Sequence, residues 1–146
     1  MTTAKSRMLQ ISRRWPGAAF AAYLVALAFV VFLPSKEAST VTGFVGIIAG
    51  WLAALGLPYK EAAVTVEFVS NVIMFVPFGG LVRWLWPDSW NWWRILLLGA
   101  ASSTFIELTQ LLIPGRVTAV SDVIANSAGA MVGAVVVVWL RRRLSR

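Results

Sequence analysis

Four stretches of this chain are long and apolar enough to cross a lipid bilayer, and that leaves few folds open. A helix crossing about 30 Å of hydrocarbon needs about 20 predominantly apolar residues, with a range of about 17–25. Gly17–Leu33 and Val123–Leu140 carry no charge at all. Phe68–Trp86 carries Arg83 near its end, and Ile95–Ile113 carries Glu107. A fifth stretch, Phe44–Leu57, is shorter and holds Gly46, Gly50 and Gly56. Its length favours an interfacial or re-entrant segment on the outer side, with a tilted fifth span as the alternative. The expected fold is therefore an all-α integral membrane protein, a bundle of four transmembrane helices plus one short interfacial or re-entrant helical segment.

Composition agrees. The chain is 59% hydrophobic and 13% charged, against about 45–50% and about 25% in soluble domains. Its 146 residues are expected to form a single membrane domain over 1–146, with no separate soluble domain. There is no Cys and no His, which removes disulfides, thiolate chemistry, the usual general base and the commonest metal ligand. No cofactor and no metal are expected, and any catalysis falls to carboxylates, hydroxyls, amides or Arg.

The net charge is +7, with the basic residues gathered at segment ends, as in "KSRMLQISRR" and "RRRLSR". That distribution is a topology signal, and no nucleic-acid partner is expected. Four spans put ten Lys/Arg on one side, at 5, 7, 13, 14, 83, 94, 141, 142, 143 and 146, and three on the other, at 36, 60 and 116. Five spans would split the two basic termini. The bias selects four spans with both termini cytoplasmic. The tryptophans of "PDSWNWW", with Trp84 and Trp86, then form an interfacial belt on the cytoplasmic side. A signal peptide is the competing reading of the start. The apolar run is long for one, and "LPSKEAS" is a poor cleavage site, so an uncleaved first span is expected.

The polar residues inside the spans need a reason. In this topology Glu67 and Asn71, Glu107 and Gln110, and Asp122 and Asn126 all lie toward the outer ends of their helices. The spacings are i,i+4, i,i+3 and i,i+4, so each pair shares a helix face. Arg116 sits in the outer turn between the last two spans. Facing lipid would cost Asp roughly 2.5–3.5 kcal/mol at a helix centre and less near the interface. These faces are therefore expected to point inward or into a pocket open to the outside. Asn71, Glu107, Gln110, Arg116, Asp122 and Asn126 are the candidate ligand-binding residues. Glu107 and Asp122 are the candidate catalytic acids or bases, with enzymatic activity left open. The competing explanation is structural: Asn and Gln often join membrane helices, at about 0.6 kcal/mol on average, and Asp122 could cap its helix. Arg116 is the most economical partner for Glu107. Pro77 can kink the second span, and Gly129-x-x-x-Gly133 is a helix-packing signal.

"VEFVSNVIMFVPFGG" followed by "SSTFIELTQLLIPGRVTAVSDVIANSAGAMVG" resembles the VanZ-like family of small bacterial membrane proteins. The shared pattern is Asn71, Phe75, Pro77, Phe78 and Gly79, then Ser103, Glu107 and Gln110, then Arg116, then Asp122, Asn126 and Gly129. It covers Glu67 to about Gly133, slightly under half the chain. "GRVTAVSD" lacks a further acidic residue before Asp122. The resemblance implies a multi-pass protein of the bacterial cytoplasmic membrane, associated with glycopeptide resistance, specifically to teicoplanin, and implies no particular reaction. The expected partners are membrane lipids and a lipid-linked envelope precursor or lipoglycopeptide, with the oligomeric state open. Three other functions compete: an enzyme at the same site, a structural or assembly factor, and a proton- or cation-coupled transporter. The last is weakened by the lack of an evident inverted repeat.

Overall fold

A computed structural model describes residues 2–32, 35–89, 91–113 and 118–144, with the side chains of 2–14, 35–42 and 44 left out of account. The described residues form five helices and no strands. They are α1 (Thr2–Phe32), α2 (Ser35–Ala54), α3 (Tyr59–Leu85), α4 (Trp92–Gln110) and α5 (Val120–Leu144).

Local sequence sets several of these boundaries. α2 stops where Gly56 takes φ +98°, a conformation that Gly adopts without a Cβ penalty. The Gly56 and Leu57 amides donate to the Ala53 and Leu52 carbonyls, the paired bonds of a Schellman end. Pro58 follows at the N-cap of α3, already held near helical φ. At α4, Asn91 is the N-cap and its side chain accepts the Arg94 amide at 3.3 Å.

Among the described residues, three helices are long and apolar enough to cross a membrane: Trp15–Phe32 of α1, and α3 and α5 in full. α4 covers most of the expected third span, Ile95–Ile113. Arg94, Ser102, Ser103, Thr104, Glu107 and Gln110 lower its hydropathy below that of the other three. The fifth stretch differs from expectation in extent, because α2 is a helix of 20 residues beginning at Ser35. α3 likewise begins nine residues before Phe68, so Glu67 lies well inside it and Glu61 is its first-turn acid.

The helices assemble around α5. Its small residues Ala125, Gly129, Ala130, Gly133 and Ala134 are buried, and two of them meet the backbone of α3. A Cβ on Gly129 would lie 2.2 Å from the Val72 carbonyl oxygen, and one on Gly133 would lie 1.9 Å from that of Val76. In return, a Cβ on Gly79 would lie 1.8 Å from the Ala130 oxygen. Only a glycine hydrogen fits these gaps, and it points at the opposing carbonyl as a Cα–H···O contact. α3 and α5 run parallel along this seam. α4 packs on the other side of α5 in the opposite direction, with Gly99 against Ser127 and Ala130.

α1 packs against α3 and α4. Phe20 meets Phe78 at 6.0 Å and Trp86 at 6.3 Å between ring centroids. Pro77 leaves the Ile73 carbonyl without its helical donor. The Tyr23 hydroxyl donates to the next carbonyl, that of Met74, at 2.9 Å. Farther along α1, the Val31 carbonyl meets Gln110 of α4. α2 packs on α3, with Ala49, Ala62 and Val66 buried. The end of α5 returns to the end of α3, where Arg141 donates to the Trp84 carbonyl at 2.7 Å. The start of the described α1 core, the end of α3, the start of α4 and the end of α5 thus share one end of the bundle.

Candidate functional site

The opposite end holds the polar residues. α3 delivers Asn71, α4 delivers Ser103, Glu107 and Gln110, and α5 delivers Asp122 and Asn126. Glu107 is 8% exposed and Asn126 is 4% exposed, so both sit inside the bundle. Each is held by a specific bond.

The Asn126 amide nitrogen donates to the Ser103 hydroxyl at 2.7 Å, joining α5 to α4 in a buried setting. Its carbonyl oxygen is buried and accepts no hydrogen bond. A buried acceptor left without a donor costs roughly 1–3 kcal/mol, so this atom is an expensive part of the layer. The Glu107 carboxylate accepts the Ala119 backbone amide at 3.0 Å. Ala119 directly precedes α5, so an acid on α4 supplies one of the acceptors that the orphan amides at a helix start require. Asp122, in the first turn of α5, has the Asn71 side chain of α3 beside it and accepts from the neighbouring Ser121, whose Oγ lies 3.4 Å from its Oδ1. Carboxylates in that position also face the positive end of the helix dipole.

Gln110 departs from the other five. Its amide nitrogen donates to the Val31 carbonyl of α1 at 3.1 Å. A separation of three residues leaves it about 60° round the helix from Glu107, enough to address α1 where Glu107 addresses α5. Glu67 is exposed, one turn from Asn71. Arg116, and with it the expected pairing to Glu107, lies outside the described residues. The polar residues therefore divide among four contacts: Asn71 beside Asp122 (α3–α5), Ser103 with Asn126 (α4–α5), Glu107 with the Ala119 amide at the start of α5, and Gln110 with Val31 (α4–α1).

Three participants are absent from the candidate list drawn from sequence. Ser103 is named from sequence only in the family pattern, although its spacing of four from Glu107 was a readable signal. The Ala119 amide and the Val31 carbonyl are backbone groups, which leave no side-chain signal to read.

An apolar groove of about 410 Å³ adjoins this layer. α1, α3 and α4 form it, with Leu27, Val31, Phe78, Phe105 and Ile106 among its walls. Val31 belongs to both features, since its carbonyl holds Gln110 while the residue lines the groove.

The VanZ/LLP1 family model matches residues 20–141. The chain belongs to the VanZ/LLP1 family. The match takes in α1 from Phe20 onward and reaches Arg141 in the last turn of α5, so every residue of the polar layer falls within it. Membership and the three long apolar helices together make this a membrane protein. No curated protein and no solved structure matches the chain.

Proposed function

We propose that this VanZ/LLP1 protein binds an outer-leaflet amphiphile, with the headgroup at the polar layer and the apolar part in the groove between α1, α3 and α4. A lipid-linked envelope precursor or a lipoglycopeptide has the required form. A contribution to glycopeptide resistance, teicoplanin included, follows if such a molecule is the antibiotic or its target. The observation that carries this reading is the continuity at Val31, where an apolar groove of about 410 Å³ ends against the polar layer. Apolar walls with a few convergent polar groups are the usual form of a small-molecule site. The reading includes α4 as a fourth span, since its 19 residues reach about 28 Å. It also includes both termini on the cytoplasmic side, where the arginines gather.

A second reading has a specific observation behind it. The bonds Asn126–Ser103 and Gln110–Val31 each tie one helix to another, as they would if the layer only joined helices. Under that reading Glu107→Gln and Asp122→Asn are nearly harmless. An amide oxygen still accepts the Ala119 amide, and a charge costly to bury is gone. Under the binding reading the same proteins fold normally and lose their ligand. The measurement is thermal stability in detergent beside mass spectrometry of co-purified lipids and teicoplanin susceptibility in cells. Leu108→Val, on the exposed face of α4, is the control. We expect normal melting with lost lipid and changed susceptibility. Normal melting with both retained leaves the layer a structural joint.

A further inference from the structure

The far end of the bundle has its own groove, independent of the polar layer. The end of α3, the start of α4 and the last turns of α5 enclose about 440 Å³. Met131, Val135, Val138 and Ile95 line its apolar part, and Arg83 and Arg142 line it as well. On α5 the lining residues recur at helical spacing from Met131 to Arg142. That is 11 residues, about 16 Å of helix, close to half of the roughly 30 Å hydrocarbon thickness. The groove therefore has the depth of one leaflet, with arginines toward the basic end of α5.

We infer that this groove binds one anionic phospholipid, its phosphate held by Arg83 and Arg142 and an acyl chain lying along Met131, Val135 and Val138.

Charge complementarity selects the occupant. Arg83, Arg94, Arg141, Arg142 and Arg143 gather at this end among the described residues, with Asp88 as the acid beside them. Among the described residues no carboxylate lines the groove, so the positive group of a zwitterionic headgroup finds no partner among them. A second copy of the chain placed side by side in the same orientation would set one basic end against another, and like charges across an interface disfavour it. The other arginines at this end make contacts of their own. Arg94 and Arg143 stand over the Trp93 and Trp139 rings at 5.3 and 5.4 Å, and Arg141 over Trp84 at 5.2 Å. Trp92 and Trp139 also line the groove, at the interfacial depth that tryptophan prefers. Basic pockets between membrane helices are a known form of anionic-lipid site.

The test uses the full chain, purified in detergent and titrated with phosphatidylglycerol or phosphatidylcholine, read by native mass spectrometry and by melting temperature. Phosphatidylglycerol should bind and raise the melting temperature, and phosphatidylcholine should do neither. Arg83→Gln and Arg142→Gln should each weaken binding about fivefold, and together about 30-fold. Arg94→Gln removes the same charge from the same end outside the groove and should bind as the unaltered protein does. Arg83 also donates to the Pro87 carbonyl, so its substitution could disturb the fold. Val135→Trp provides the second route. Val135 is 59% exposed, so the indole fills the apolar part of the groove with every charge intact, and binding should fall. Equal binding of phosphatidylcholine, an equal loss in Arg94→Gln, the same stabilisation by inorganic phosphate alone, or undiminished binding by Val135→Trp would each overturn the inference. Because the readout is anionic lipid at the arginine end, failure here leaves the Glu107 experiment untouched.

Discussion

At the scale of single residues, the clearest demand is for the absence of a side chain. Gly133→Ala places a methyl 1.9 Å from the Val76 carbonyl oxygen, and backbone cannot rotate out of the way as a flexible side chain can. Overpacking of a tight core typically costs about 1–3 kcal/mol. The expected outcome is a lower melting temperature in detergent for Gly133→Ala and for Gly129→Ala. Gly17→Ala, with nothing within 4 Å of the new methyl, should be neutral or slightly stabilising, because Ala is the better helix former. The Ser103–Asn126 bond makes a different demand. Ser103→Ala removes the hydroxyl to which the buried Asn126 amide nitrogen donates, in a side chain whose carbonyl already lacks a donor. A loss of about 1–3 kcal/mol is expected. Replacing Asn126 by Leu in the same protein removes the unpaired groups, so the double variant should recover much of that loss if the enlarged side chain packs. Thermal unfolding of the four proteins of this cycle measures the coupling directly.

At the scale of elements, hydropathy located the helices better than it located their ends. The window that identifies a span measures membrane thickness, whereas a helix continues for as long as its backbone bonds are satisfied. The expected span Phe68–Trp86 takes in the apolar part of α3 and its C-cap, but the helix starts at Tyr59. Pro58 at the cap and Glu61 in the first turn were the signals of that start, and the charges at Lys60, Glu61 and Glu67 hid it from a search for apolar runs. α4 shows the reverse. Its polar residues lowered its hydropathy, yet the pattern of Ser103, Glu107 and Gln110 marked the faces that meet other helices. Asn71, Glu107, Gln110, Asp122 and Asn126 were all legible as inward-facing polar groups. Which helix each one addresses was not, because two of the partners are backbone atoms and the crossing of the helices decides the rest. The Gly129–Gly133 signal was legible too, and its meaning became concrete only with the carbonyls of Val72 and Val76 opposite it.

At the scale of the whole molecule, the arginines at the ends of α3 and α5 and the polar layer lie at opposite ends, and this fixes an expectation for orientation. A reporter at residue 62, beside the start of α3, should read as outside, and one at the C-terminus as cytoplasmic. A cytoplasmic signal at 62 would remove the outer-leaflet reading altogether. The helices are also unequally held. Within an 18-residue apolar stretch of each helix, 44% of the residues are buried in α5, against 11% in α1. α5 is locked to α3 by carbonyls seated on glycines, a joint that can neither slide by a residue nor rotate without collision. Among its described side chains, α1 is held by aromatic rings and by hydrogen bonds from Tyr23 and to Val31, worth roughly 0.5–1.5 kcal/mol each. It is also one wall of the groove beside the polar layer. Mechanically, α3 and α5 make a fixed post and α1 a hinged panel. Whatever wedges into that groove meets least resistance from α1, and the glycines ensure that the post keeps its shape while the panel gives.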